Sequence, residues 1–329
     1  MRGWAGTICS LCEAPDGERP GRGKGDQLSN SRPTSTEPTE FRNLEAGRGS
    51  GETINFSFGR NWQKYLHRLD DERLGQARAS LRASLHRDGL DGLTFIDAGC
   101  GSGVFSLSAL QLRAAQVTSV DIDPNSISCA RYLRARLADP GHWDVRRGSL
   151  LSTEFVATLP PADIVYSWGV LHHTGAMWSA IANAMRLVKP SGLLCLALYR
   201  EPGKPKLQLA LKRSYNLLPR LLRPVLGALY YVALVTRGSI AARVAPWSYI
   251  ASYGRHSRGM SLWRDVEDWL GGLPCEFATP HAVEEFAAAR GFVMEATLIR
   301  PRGANNEYLL RRIDAADRRL HWQAGSAGS

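Results

Sequence analysis

The chain of 329 residues has no run of about 18 or more apolar residues, so an ordinary membrane-crossing helix is not expected. Its six cysteines are scattered and too few for a disulfide scaffold, which fits a reducing compartment. The start shows no basic-then-apolar leader pattern, so the expected location is cytoplasmic, with peripheral membrane contact kept open. Cys9-x-x-Cys12 has no second pair or histidine nearby and is read as a free pair. No His/Asp/Glu constellation typical of a metal site is seen, and no metal is expected. Acidic residues are nearly missing from residues 200–260, which hold eleven Lys or Arg and one acid, Glu201. That local excess equals the net charge of the whole chain, +10 at pH 7. It admits nucleic acid, an anionic membrane surface or an acidic substrate as partner.

Residues 1–50 also lack apolar material: 21 are Gly, Pro, Ser or Thr and only 12 are apolar. Such a stretch buries too little surface to offset its ordering entropy and is expected to be a disordered tail. The chain as a whole is 44% hydrophobic and 9% aromatic, enough for one substantial core. Residues 51–92 read as an N-terminal helical cap. Phe56, Phe58, Trp62 and Tyr65 either pack it on a sheet or form a lid. Leu74, Ala77, Leu81 and Leu85 make an apolar stripe over Asp71 to Leu85.

From residue 93 to 199 short apolar runs alternate with helical patterns. Strands are expected at Leu93–Ile96, Gln116–Asp121, Asp144–Arg147, Ala162–Ser167 and Leu193–Tyr199, the last introduced by Pro190-Ser191-Gly192. This rhythm predicts an α/β, Rossmann-like open parallel sheet with the strand C-termini on one ligand-binding edge. Residues 200–270 form a basic, leucine-rich helical insertion after the fifth strand. Its longest charge-free apolar piece, Pro224 to Thr236, has 13 residues, which suits an interfacial or core-packed helix. Residues 271–314 complete a sheet of about seven strands with an antiparallel edge hairpin, and 315–329 read as a frayed terminus.

The strongest chemical signal is Asp97-Ala98-Gly99-Cys100-Gly101-Ser102-Gly103, between a strand and a helix. Glycines allow a sharp turn and close approach to a ligand. The dinucleotide pattern G-x-G-x-x-G would need a third glycine at residue 104, which is Val104 here. A pyrophosphate gains nothing from the adjoining carboxylate, whereas a cationic amino-acid group does, which favours S-adenosylmethionine over NAD. Asp121 closes the next strand and suits the two hydroxyls of a ribose, with Ile122 against adenine; the alternative is that Asp121 or Asp123 caps the helix starting at Pro124. His172 and His173 follow the fourth strand and are candidate general bases. Tyr199, Tyr253, His256 and His281 are weaker candidates.

Phe95–Leu107, Val117–Ile127, Ala162–Thr174 and Arg186–Tyr199 resemble the class I S-adenosylmethionine-dependent methyltransferases, most nearly the ubiquinone-biosynthesis O-methyltransferases and related small-molecule enzymes. The resemblance implies that Asp97 and Gly99, Cys100, Gly101 and Gly103 hold the methionine portion and Asp121 the ribose. It puts Ser149 and Leu150 beside adenine, and Ser167 and Trp168 at the pocket floor. Where many relatives have Gly-Asp, this chain has Gly148-Ser149, so a carboxylate contact to the adenine amine is in doubt. The implied activity is methyl transfer to a small-molecule acceptor, most simply a hydroxyl, and anionic or lipid-linked given the basic insertion. Residues 206–236 are the candidate membrane contact. The alternatives are an RNA methyltransferase using residues 200–260, disfavoured because leucines rather than aromatics lie between the charges, and a cofactor-binding scaffold without activity.

Overall fold

A computed structural model describes residues 69–137, 140–256, 262–299 and 305–314. The expected tail, Cys9 and Cys12, the aromatics Phe56, Phe58, Trp62 and Tyr65, and the terminus 315–329 lie outside the described residues. Helix α1 (Asp71–Leu85) begins where the Asp70 side chain accepts a hydrogen bond from Arg73 N, and ends at His86 in the left-handed region. Ala77, Leu81 and Leu85 are buried and Leu74 packs at their margin, the stripe expected from the sequence.

The alternating region then runs β1 (Thr94–Ala98), α2 (Val104–Gln111), β2 (Gln116–Asp121), α3 (Pro124–Arg134), β3 (Trp143–Arg147), α4 (Thr153–Ala157), β4 (Ala162–Trp168), α5 (Met177–Arg186) and β5 (Val188–Tyr199). The insertion supplies α6 (Pro205–Leu217), α7 (Arg223–Ala242), α8 (Pro246–His256) and α9 (Leu262–Gly271). The chain returns through α10 (Pro280–Ala288), β6 (Phe292–Leu298) and β7 (Asn305–Arg312). The strands form one seven-stranded sheet in the order β3-β2-β1-β4-β5-β7-β6. The first five are parallel, while β7 runs antiparallel to both β5 and β6.

The central strands read as near-continuous apolar runs because both of their faces are covered. Phe95, Val117, Ile164 and Tyr166 face the cluster that includes Leu81 and Leu107. Ile96, Val120, Val165 and Leu196 face the opposite cluster, with Ile181 and Val283. The strand order reverses between β1 and β4, so the crevice beyond their C-terminal ends is the natural ligand position in such a sheet.

Two expectations need correction. β5 begins at Val188, and Pro190-Ser191-Gly192 does not precede the strand but is carried within it. The parallel register with β4 shifts between Ala162 and Ile164, which accommodates the extra residues. The insertion helix α7 has 20 residues, because it continues through Arg237 to Ala242 beyond the 13-residue charge-free piece. By length and composition alone it is long and apolar enough to cross a membrane. Its inner side is nonetheless packed: Leu226, Tyr230 and Tyr231 sit against Tyr215, Val266 and Leu270, with the Tyr230 ring stacked 4.8 Å from that of Trp269.

Candidate active site

β1 delivers Asp97 and then turns sharply. Gly99, Gly101 and Gly103 have φ of 86°, 52° and 78°, the left-handed region that favours glycine. Gly99 is also a point of close approach, since a Cβ there would lie 2.4 Å from Val170 Cγ1. The loop therefore rests on the segment that follows β4. Gly103 opens α2 with no side-chain cap of its own.

Asp97 is buried at the end of a chain of hydrogen bonds. The Trp143 indole N–H donates to Ser119 Oγ (2.7 Å), Ser119 and Ser106 hydroxyls are 2.6 Å apart, and Ser106 Oγ donates to Asp97 Oδ2 (2.6 Å). An indole can only donate, so the Ser119 hydroxyl proton is directed to Ser106 and the chain runs one way, toward the carboxylate. Burial nevertheless raises the Asp97 pKa to about 7; the Ser106 bond opposes this and the nearby Asp121 charge adds to it.

Asp121 closes β2. Its Oδ2 accepts from Gly101 N and its Oδ1 from Asp123 N, both at 2.9 Å. Burial raises its pKa to about 6 against the pull of these bonds. The side chain that caps α3 is that of Asp123, accepting from Asn125 N at 2.8 Å. That leaves Asp121 tying the glycine loop to the second strand, with lone pairs to spare on each oxygen. Neither Asp97 nor Asp121 has an ion-pair partner among the described residues. Beside them Ile122 is 64% exposed, an apolar side chain at the crevice edge.

The other expected contacts divide. Cys100 is buried, and burial holds its thiol well above the usual range. The Ser149 hydroxyl accepts from Leu151 N at 3.1 Å, stabilising the turn after β3. Leu150 is buried, and its carbonyl accepts from Asn183 Nδ2 at 2.8 Å. Ser167 is fully buried and donates to the Ala98 carbonyl at 2.7 Å, joining β4 to β1, so Trp168 is the part-exposed member of that pair.

His172 and His173 lie on a single turn of 3-10 helix, Leu171–His173, at the same sheet edge. His172 is fully buried, and neither ring nitrogen makes a well-formed hydrogen bond; burial, then His173 and Lys212, hold its pKa well below the usual range. His173 Nδ1 lies 2.7 Å from the Pro274 carbonyl, which assigns the proton of the neutral ring to Nδ1 and the lone pair to Nε2. Burial lowers its pKa to about 4, with the Lys212 charge adding to the effect.

Sequence reasoning missed Lys212 and Cys275. Lys212 is fully buried on α6; its Nζ donates to the carbonyls of Trp269 and Gly272 and sits 5.4 Å from the Tyr199 ring centroid. Burial lowers its pKa to about 8. The Tyr199 ring stands 4.0 Å from that of His172. Cys275 is buried, and burial pushes its thiol up to about 11 against the opposing Lys212 charge. Glu276 fixes this wall, its backbone N–H donating to the His172 carbonyl (2.9 Å) and its Oε2 accepting from Met177 N (2.8 Å). The one available signal was spacing: Lys212 lies three and four residues from the buried Tyr215 and Asn216, on one helix face. A cleft of about 340 Å³ opens just past Tyr199, lined by Arg200, Glu201, Gly203 and Thr279. Two of the weaker candidates are engaged elsewhere. The Tyr253 hydroxyl donates to Asp265 Oδ2 (2.7 Å), and His281 is exposed, 3.3 Å from Glu285. The His256 side chain lies outside the described residues. Among the described residues no group of three or more His, Cys, Asp or Glu is placed to hold a metal ion.

Residues 96–194 match the family model described as a methyltransferase domain. This stretch is therefore a methyltransferase domain within the longer chain. The resemblance of these segments to the class I S-adenosylmethionine-dependent enzymes implies S-adenosylmethionine as the cofactor. The domain is similar to the ribosomal protein L11 methyltransferase of Haemophilus ducreyi, 38% identical over 114 residues, which is 33% of this chain and 36% of that protein. It is also similar to the ubiquinone biosynthesis O-methyltransferase of a Methylobacterium species, 32% identical over 139 residues, 41% of this chain and 54% of that one. The chain thus spans between about a third and about a half of the length of these curated relatives. Among solved structures, the magnesium protoporphyrin IX methyltransferase of Synechocystis PCC 6803 with bound SAH is 18% identical with a TM-score of 0.43, over 80% of this chain and 90% of that one. The residues of the methyltransferase domain fit the cofactor's chemistry: two buried carboxylates without ion-pair partners among the described residues, a helix start without a side-chain cap and an exposed isoleucine lie together at the C-terminal edge of β1 and β2. The family match ends within β5, so the insertion lies outside it.

Proposed function

We propose that the chain transfers the methyl group of S-adenosylmethionine to an acidic oxygen, of the phenol or carboxylate class, on a small acceptor. The bound cofactor supplies a methyl group on a cationic sulfur. The observation that carries the reading is the pairing of Asp97 and Asp121, buried and without ion-pair partners, on either side of the glycine turn. In this reading Asp97 and the loop from Gly99 to Gly103, with Cys100 in its floor, bind the cationic amino-acid end. Asp121 accepts from the ribose hydroxyls, Ile122 covers adenine, and the backbone at Ser149 and Leu150 borders it. Trp168 closes the floor above Ser167.

The oxygen acceptor follows from the histidine turn. A base with a pKa of about 4 drives proton removal weakly at neutral pH. It suffices for an acceptor that is already acidic, while positioning does most of the work in an in-line displacement. His173 takes or holds the acceptor proton at Nε2, and His172 and the Lys212 charge favour the anionic form of that oxygen. The relatives' names add no acceptor, because their matches cover the cofactor-binding part. The test incubates the pure protein with a radiolabelled methyl donor and separate metabolite, lipid, RNA and protein fractions. Label in an acidic metabolite or lipid is expected. Label in RNA or protein would overturn the acceptor class, and cofactor binding with no labelled fraction would favour a scaffold.

A further inference from the structure

Between Glu201 and Asp265 the sequence holds no acidic residue, while Lys and Arg recur throughout. The structure adds something the sequence pattern does not give, namely which side of α7 faces outward. Gly227, Val235 and Ser239 are buried, and the ring of Tyr249 from α8 presses on Gly238. The side away from Gly227 and Gly238 carries Val225, Leu229, Val232 and Ile240, which fall on one stripe at 3.6 residues per turn. These four are 57%, 65%, 60% and 73% exposed. Ala228 and Ala233 lie at its two margins and Thr236 at its centre, all three exposed, so the hydroxyl of Thr236 is the one polar group within the stripe. A helix that packs on one side and shows apolar residues on the other is not a solvated surface helix, whose outer face is polar. The neighbouring connection also exposes apolar residues: Leu217 is 75% and Leu221 90% exposed, with the exposed Arg220 between them in the chain. Arg213 on α6 and Arg237 on α7 are both exposed, and Trp247 at the start of α8 is 75% exposed.

We propose that the outer face of α7, with the α6–α7 connection, docks in the plane of an anionic lipid surface. Charge complementarity selects this occupant: an apolar stripe flanked by arginines, with no carboxylate over more than 60 residues, matches the acyl boundary below and acidic headgroups above. A helix crossing the bilayer is disfavoured by the packing of Leu226, Tyr230 and Tyr231 against α6 and α9. Docking this way would bring the α6–α9 insertion, and with it the cleft past Tyr199, to a surface from which an acidic lipid-soluble acceptor can be drawn.

The test uses the full chain without cofactor, so that its outcome is independent of the proposed methyl transfer. It is sedimented with vesicles of phosphatidylcholine alone and with vesicles that also contain phosphatidylglycerol. Binding is expected on the order of tenfold tighter to the anionic vesicles, weakening as salt is raised. The double variant Leu229→Glu/Val232→Glu is expected to lose on the order of a hundredfold in binding to either vesicle. Arg220→Gln/Arg237→Gln is expected to lose about tenfold on anionic vesicles only. All four side chains are exposed, so both variants should keep the thermal transition and the adenosylhomocysteine affinity of the parent. Three results would overturn the proposal. They are no sedimentation with vesicles, equal binding to neutral and anionic vesicles, and a concentration-dependent dimer that the Glu variant abolishes, which would make the stripe a contact between two copies of this chain.

Discussion

The ionisation of Asp97 couples to whatever cation occupies the crevice. In the free protein its carboxyl holds a proton up to a pH of about 7, because burial outweighs the hydrogen bond from Ser106. A cofactor ammonium beside it would favour the charged form. Only the ionised form then binds well, so affinity follows the ionised fraction of the free protein. That fraction, and the association constant with it, rises roughly tenfold from pH 6 to pH 7.5. Asp121, raised to about 6, steepens the lower part of the same curve. Above a pH of about 8 the ligand's own amino group loses its proton and affinity turns down. Calorimetric titration with adenosylhomocysteine in two buffers of different ionisation enthalpy measures both the affinity and the protons released. The expected result is net proton release near pH 6.5, reduced in Asp97→Asn to the smaller share that Asp121 contributes. An affinity that is flat from pH 6 to 7.5, with no proton release, would refute the coupling.

Three other outcomes follow from the same geometry. Ser119→Ala should cost about 1–3 kcal/mol in chemical denaturation, since it leaves the buried Trp143 indole without its acceptor; it should also move the rise in cofactor affinity to higher pH. His173→Ala should lower kcat by a similar factor at pH 6 and pH 8, because the ring is neutral at both, while cofactor affinity stays the same. The third concerns stability. The His173 pKa falls from 6.5 in the unfolded chain to about 4 in the folded one, so the folded form loses stability relative to His173→Gln as pH drops from 6.5 toward 4. That loss reaches at most about 3 kcal/mol, measured as the difference between two denaturation series.

The parts of this fold that the sequence exposes are those where local chemistry is decisive. The glycine turn and the acid closing β2 were legible because positive φ and a strand-end carboxylate impose residue types at fixed spacing. Buried strands such as Ala162–Trp168 announce themselves as apolar runs. Helix α4 was missed because its five residues are too few for a helical period, although Ser152 caps it by accepting from Phe155 N at 3.1 Å. The start of β5 was misread because a Pro-Ser-Gly segment looks like a turn. In the fold it is held by neighbours distant in sequence, with Ser191 Oγ donating to Asp314 Oδ2 at 2.5 Å. The polar wall around His172 stayed hidden for the same reason: Lys212, Cys275 and Glu276 reach it from far along the chain, and their burial is set by tertiary packing.

The central claim is that Asp121 and the turn beside it form the seat of the cofactor nucleoside. Titrating adenosylhomocysteine into the parent and into Asp121→Ala at pH 7.5 tests it most directly. A charged acceptor to two hydroxyls is worth about 1.5–3 kcal/mol per hydrogen bond, so saturable one-to-one binding by the parent and a loss of about a hundredfold or more in the variant are expected. Equal affinity in the two proteins, or no binding by a folded parent, would contradict it.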